Sequence, residues 1–189
     1  PESAQFVSCS ATLTEKHTNI LNSLIPANSD VERIEMPAGN VLAGNITHWV
    51  FHSERRDKID SLRRFLVAEK PAKTLVFTAV LGQVENITSQ LQHRGIDCAA
   101  LHAKLDKKDR KTAIDRFRSG KTAVLVTSDL AARGLDIPGI THVVQMDVQE
   151  NTDFFIHRAG RTARAGKSGI NAIFGDEFEL RSLARLEKK

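Results

Sequence analysis

The sequence has no tyrosine, one tryptophan and two cysteines among 189 residues. Cys9 and Cys98 stand far apart with no CxxC or Cys–His spacing. That excludes a zinc ribbon and a disulfide scaffold and fits a reducing, cytoplasmic setting. His17, His48, His52, His93, His102 and His142 form no metal-ligand grouping, so no metal site is expected. Apolar runs are short, and none approaches the length of a membrane span. The stretch PESAQFVSCSATLT lacks the basic leader and apolar block of a signal peptide, so the sequons at Asn45 and Asn86 are read as chance. Internal repeats and low-complexity tracts are absent. Gly120-Lys121-Thr122 and Gly166-Lys167-Ser168 look like the tail of a phosphate-cradling loop. That loop needs a further glycine five positions before its second one, where this chain has Asp115 and Arg161, so both matches fail.

What remains is an ordinary apolar content, a net charge of +4 and a pI near 9.2, a mild tilt towards anionic partners. The length suits one α/β domain with an appendage. Short β-branched runs at LVF (75–77), AVLV (123–126) and HVV (142–144) read as buried strands. Amphipathic helices alternate with them. Ile59, Leu62, Phe65 and Leu66 share a face in 54–69, and Leu81, Val84, Ile87 and Leu91 share one in 81–94. In 106–119, Asp106 is the expected N-cap, Ile114 and Phe117 face inward, and Gly120 is the stop signal. Strand–helix–strand alternation predicts an α/β fold: a mostly parallel central sheet with helices on both faces. Ligands collect beyond the carboxyl ends of such strands. The head differs. QFVSCSATLT reads as a strand running into a turn, TEKHTNILNSLIP as a helix capped by Thr14 and ended by Pro26, and ANSDVERIEMPAGN as a linker. The predicted division is therefore 1–40 and 41–189, with the head belonging to something that precedes it.

HRAGRTARAG, residues 157–166, carries Arg158, Arg161 and Arg164 at intervals of three among glycines. A guanidinium delivered across an interface stabilises charge developing on a transferring γ-phosphate, and its permanent charge and planar fork suit that task. If the segment is a helical turn, Arg161 and Arg164 point to one side. For an isolated RxxRxxR a solvated basic face is the commoner outcome, and the surrounding residues reverse those odds.

TSDLAARGLDIPGI (127–140) followed by FIHRAGRTARAG closely resembles the fifth and sixth signature motifs of the DEAD-box RNA helicases. Ser10-Ala11-Thr12 resembles their third motif and LVFTAV (75–80) their fourth. LHAKLDKKDRKTAIDRFRSG (101–120) resembles the segment between the fourth and fifth. The Walker-type loop, the Gln motif and the Asp-Glu-Ala-Asp box are missing. The resemblance therefore implies the second, RecA-like three-layer domain of such a helicase, with residues 1–40 as the end of the first domain plus linker. It further implies that Arg161 and Arg164 are arginine fingers and that Asp136, with Gly134 beside it, meets the ATP ribose. Ser128, Arg133, Arg110 and Thr78 would contact RNA backbone. His157, Ser10 and Thr12 would couple the two domains, and Arg158 would brace its own. ATP with magnesium would be held mainly by the first domain, the partners would be RNA and that domain, and the fragment alone would be monomeric and without ATPase activity. Taken singly, Asp136 also reads as a turn residue, Arg110 as an exposed helix charge, His157 as a satisfied histidine, and Ser128-Asp129 as the cap of a short helix DLAARG. Ala163 replaces a family glycine, and would be strained if its φ is positive. Ala103 replaces a glycine whose backbone approaches RNA. Lys107, Ser128 and Phe155 are further departures. A non-enzymatic RNA- or protein-binding module and a DNA-directed helicase of the same superfamily remain as alternatives.

Overall fold

A computed structural model describes residues 7–8, 15–26, 29–32, 34, 44–149 and 152–186. Two compact units divide the chain, Pro1–Gly39 and Asn40–Lys189. In the first, helix α1 (Glu15–Leu24) occupies the stretch whose apolar spacing predicts it, and Ser29 N–H bonds the Pro26 carbonyl just beyond. Ser10, Thr12 and Thr14 lie outside the described residues, as does all of the expected first strand except Val7 and Ser8.

The second unit runs β1 (Ile46–His52), α2 (Lys58–Glu69), β2 (Thr74–Phe77), α3 (Leu81–His93), β3 (Cys98–Leu101), α4 (Lys107–Arg118), β4 (Val124–Thr127), α5 (Asp129–Ala132), β5 (His142–Gln145), α6 (Thr152–Ala159), β6 (Gly169–Gly175) and α7 (Glu177–Leu186). The strands form one sheet in the order β1-β6-β5-β2-β4-β3, and every recorded pair is parallel. The expected α/β architecture is present.

Period-two alternation along the strands makes the three layers. Val76, Val126, Val144 and Ala172 face one side and meet Leu62, Phe65 and Leu66 of α2 and Val84, Ile87 and Leu91 of α3. Leu75, Phe77, Leu125 and Val143 face the other and meet Ala113 and Phe117 of α4, Ala131 and Ala132 of α5, and the 135–140 loop. The central strands β2, β4 and β5 are buried on both faces, which is why each carries two or more consecutive apolar residues rather than a polar–apolar alternation. Asp106 caps α4 by accepting from Asp109 N–H at 2.7 Å, and Gly120 has the left-handed φ of +77° expected of a stop. Ile114 is only partly buried against the second core layer.

Five elements escape the sequence reading: β1, β3, β6, α6 and α7. β3 is CAAL, with no β-branched residue; its pairing with β4 makes it a strand. Asp176 and Glu179 start α7 as a reciprocal capping pair, each side chain accepting the other's backbone N–H at 2.9 Å.

Candidate functional site

The loops after β2, β4 and β5 converge at the carboxyl edge of the sheet, and Arg158 of α6 ties them together. It is 2% exposed. Its Nε and Nη2 donate to the two carboxylate oxygens of Asp129, each at 2.7 Å, and its Nη1 donates to the Asp147 carboxylate at 3.0 Å and carbonyl at 3.1 Å. Phe77, ending β2, lies under the guanidinium at 5.6 Å, and Ala79 N–H donates to Asp147 at 2.6 Å. Burial works against the charge, but the bond to Asp129 and the charges of Asp147 and Asp129 outweigh it and push the Arg158 pKa up. Asp129 begins α5 and Asp147 follows β5, so one side chain sets the mutual position of three loops.

Arg161 and Arg164 lie beyond the end of α6, in a turn and the irregular backbone after it, so no helix face aligns them. They are brought together by backbone turns and by the 134–136 loop. Ala163 and Ala165 hold left-handed φ values of +57° and +54°. The strain that sequence comparison made conditional on positive φ is therefore present at Ala163. Arg161 is half-buried and donates to the Leu135 carbonyl at 3.2 Å. Burial and the Arg164 charge lower its pKa, and Asp136 opposes them. Arg164 donates to Asp136 at 2.6 Å and to the Gly160 carbonyl at 3.2 Å; the Asp136 side chain is 90% exposed. Gly134, with a φ of +73°, makes the turn that brings Asp136 there.

The motif is anchored from behind. Thr162 donates to the Ile140 carbonyl at 2.7 Å. Gly169 approaches so closely that a Cβ there would sit 2.2 Å from the Thr162 hydroxyl. Asn45 donates to the carbonyls of Ala163 and Lys167. The residue read as a chance sequon is thus a brace of the arginine segment, and no local pattern announces it.

Around α5 the remaining predicted residues gather. Ser128 occupies the N-cap position, but its side chain makes no cap hydrogen bond, which corrects the expectation that it caps DLAARG. Arg133 follows the helix and is exposed. Arg110 crosses from α4 to donate to the Ala131 carbonyl at 3.0 Å, so it is more than a free helix charge. Thr78 is buried; its N–H donates to the Thr127 carbonyl and its hydroxyl accepts from Val80 N–H. His157 is exposed.

Two adjoining grooves open here. One, of about 420 Å³, is lined by Ala79, Ala103, Ser128, Leu130, Arg133 and Phe154 among others. The second, of about 280 Å³, is lined by Phe77, Arg133, Phe154, His157, Arg158 and Arg161 among others. Among the described residues no group of three or more His, Cys, Asp or Glu is placed to hold a metal ion, and no helix is long and apolar enough to cross a membrane.

Residues 57–166 match the family described as the helicase conserved C-terminal domain. The DEAD-box ATP-dependent RNA helicase CshB of Bacillus cereus is 35% identical over 189 residues, which are all of this chain and 43% of that protein. RhpA of Helicobacter pylori, named likewise, is 30% identical over the whole chain and 38% of its own length. The chain thus spans about two-fifths of these relatives. Among solved structures, S. cerevisiae Dbp5 bound to RNA and ADP BeF3 superposes with a TM-score of 0.82 at 26% identity, covering 95% of this chain and 47% of that one. The E. coli DEAD-box protein SrmB, bound to regulator of ribonuclease activity A, gives 0.69 at 29% identity, covering 75% and 83%.

Proposed function

This chain belongs to the family of helicase conserved C-terminal domains, on its DEAD-box branch, and on that footing we propose that it is the C-terminal half of an ATP-dependent RNA helicase. Residues 1–40 are then the end of the first RecA-like domain plus linker, and 41–189 the second domain. The observation that supports this reading best is the contrast inside one motif. Arg158 is spent on its own fold, while Arg161 and Arg164 are only half-buried near Asp136, beside the exposed His157.

In this reading ATP and its magnesium are held mainly by the first domain. Closure brings Arg161 and Arg164 onto the γ-phosphate, where their fixed charge stabilises the transition state. Asp136 exchanges Arg164 for the ribose hydroxyls, Gly134 holds the turn that presents it, and His157 bridges to the facing domain. Around α5, Arg133 and Arg110 supply charge, and Ser128 and Thr78 hydroxyls, to RNA backbone. Such contacts read shape and the 2′-hydroxyl. Gripping one strand in a bent form separates a few base pairs, and hydrolysis releases it.

Arg161→Ala with Arg164→Ala in the full-length protein should lower RNA-stimulated ATP turnover by about 10³-fold or more with little change in melting temperature. Near-unchanged turnover removes the finger assignment. The 189-residue chain alone should show no ATPase activity, and steady phosphate release from it would contradict the division of labour.

A further inference from the structure

The two grooves share Asp129, Arg133 and Phe154. Asp129 is committed to Arg158 and to Gln149, whose amide donates to it at 2.9 Å. Arg133 makes no ion pair among the described residues. Phe154 is the more unusual lining. On α6 it shares a face with His157 and Arg158, all three of them lining the smaller groove. Its neighbour Phe155 takes the opposite course and stacks on His48, with ring centroids 5.8 Å apart. Phe154 has no stacked ring among the described residues and remains half-buried on the groove side. Leu130, which also lines the larger groove, is 64% exposed, and Ala103 adds a methyl where the resembled family has glycine.

The larger groove therefore has apolar lining from Leu130 and Phe154 and polar lining from Ser128, Arg133, Gln149 and Asp129, the last already paired with Arg158. Phosphate contact alone asks for the polar lining and leaves the apolar lining without purpose. A nucleotide uses both: its base offers a flat π face to an aromatic ring, and its phosphate offers charge to a guanidinium. We propose that Phe154 is a base-stacking residue, which lays one nucleobase of single-stranded RNA against its ring within the groove that Leu130 also lines, while Arg133 takes an adjoining phosphate. The proposal rests on the RNA-helicase reading and deepens it, because backbone contacts by themselves do not sense the bases.

The test uses the full-length protein and a fluorescent single-stranded RNA, with a set of matched strands in which one abasic position is moved along the sequence. Phe154→Ala should weaken binding to the intact strand by roughly 5- to 100-fold, the loss of one base–aromatic stack. Phe154→Tyr and Phe154→Trp should restore it. The wild type should lose a similar factor at one abasic position, and Phe154→Ala should lose nothing further there. The slope of affinity against salt should stay the same in Phe154→Ala and fall in Arg133→Ala, since only the latter loses a phosphate contact. Affinity unchanged in Phe154→Ala, equal losses at every abasic position, or an effect confined to ATP turnover would overturn the stacking role. Failure of the wild type to bind RNA at all would instead remove the helicase reading from which it starts.

Discussion

Arg158 and Arg164 share one short motif and one side-chain chemistry, yet Arg158 is 2% exposed between two carboxylates while Arg164 meets a single carboxylate that is 90% exposed. The first pair group has left water, so its geometry must be nearly ideal to offset desolvation, and it is bidentate. The second has surrendered little hydration and can exchange partners at small expense. Burial, not residue type, separates an arginine that holds a fold from one that can be lent to a ligand.

That contrast can be broken in graded steps. Arg158→Met leaves Asp129 and Asp147 facing each other without their cation and should destabilise the domain by about 3–5 kcal/mol in urea denaturation. A loss near that of an ordinary surface change would mean the three-loop tie is dispensable. Next comes the strained backbone. Ala165→Gly should stabilise by about 1 kcal/mol, because φ of +54° favours glycine and the Ala165 side chain is exposed. Ala163→Gly should gain less, since its methyl is buried with Ile46 and Ala159. Equal gains would show that this methyl contributes no packing. At the surface, Arg164→Ala should change stability by no more than about 0.5 kcal/mol.

The final test concerns a third charge environment. His142 is buried beside Phe65, and burial lowers its pKa against the opposing pull of Glu69. The neutral ring is therefore favoured by folding. Its contribution is complete above the unfolded value, about 6.5, and is lost as pH falls from there towards the lower folded value. His142→Asn should flatten the decline in urea midpoint between pH 8 and pH 5, measured at fixed salt. A profile parallel to the wild type would show that this ring carries no pH-linked stability.

Much of this was legible in the chain. The fully buried strands β2, β4 and β5 declare themselves as short β-branched runs, and α2, α3 and α4 by the spacing of Leu62, Leu91 and Phe117. The ordered motifs around Arg133, Asp136 and Arg161 led to the right family before any geometry. Less legible were the elements whose stability comes from neighbours. CAAL becomes β3 only by pairing with β4, and β1 joins β6 across more than half the chain. The helical alignment expected of Arg161 and Arg164 was mistaken because glycine-rich spacing looks the same in a turn.

Local periodicity and motif order, both properties of residues near one another in the chain, determined the α/β class and the family, and the resemblance pointed to Arg158 as a brace of its own domain. Tertiary structure decided how that brace is built and how far the other two arginines stay accessible, because Asp129 and Asp147 reach Arg158 from separate loops and desolvation depends on everything packed around it. It also decided that Asn45 braces the motif and that Phe154 faces the grooves while Phe155 packs against His48. Those outcomes are set by contacts between segments distant in the sequence, and no window along it contains them.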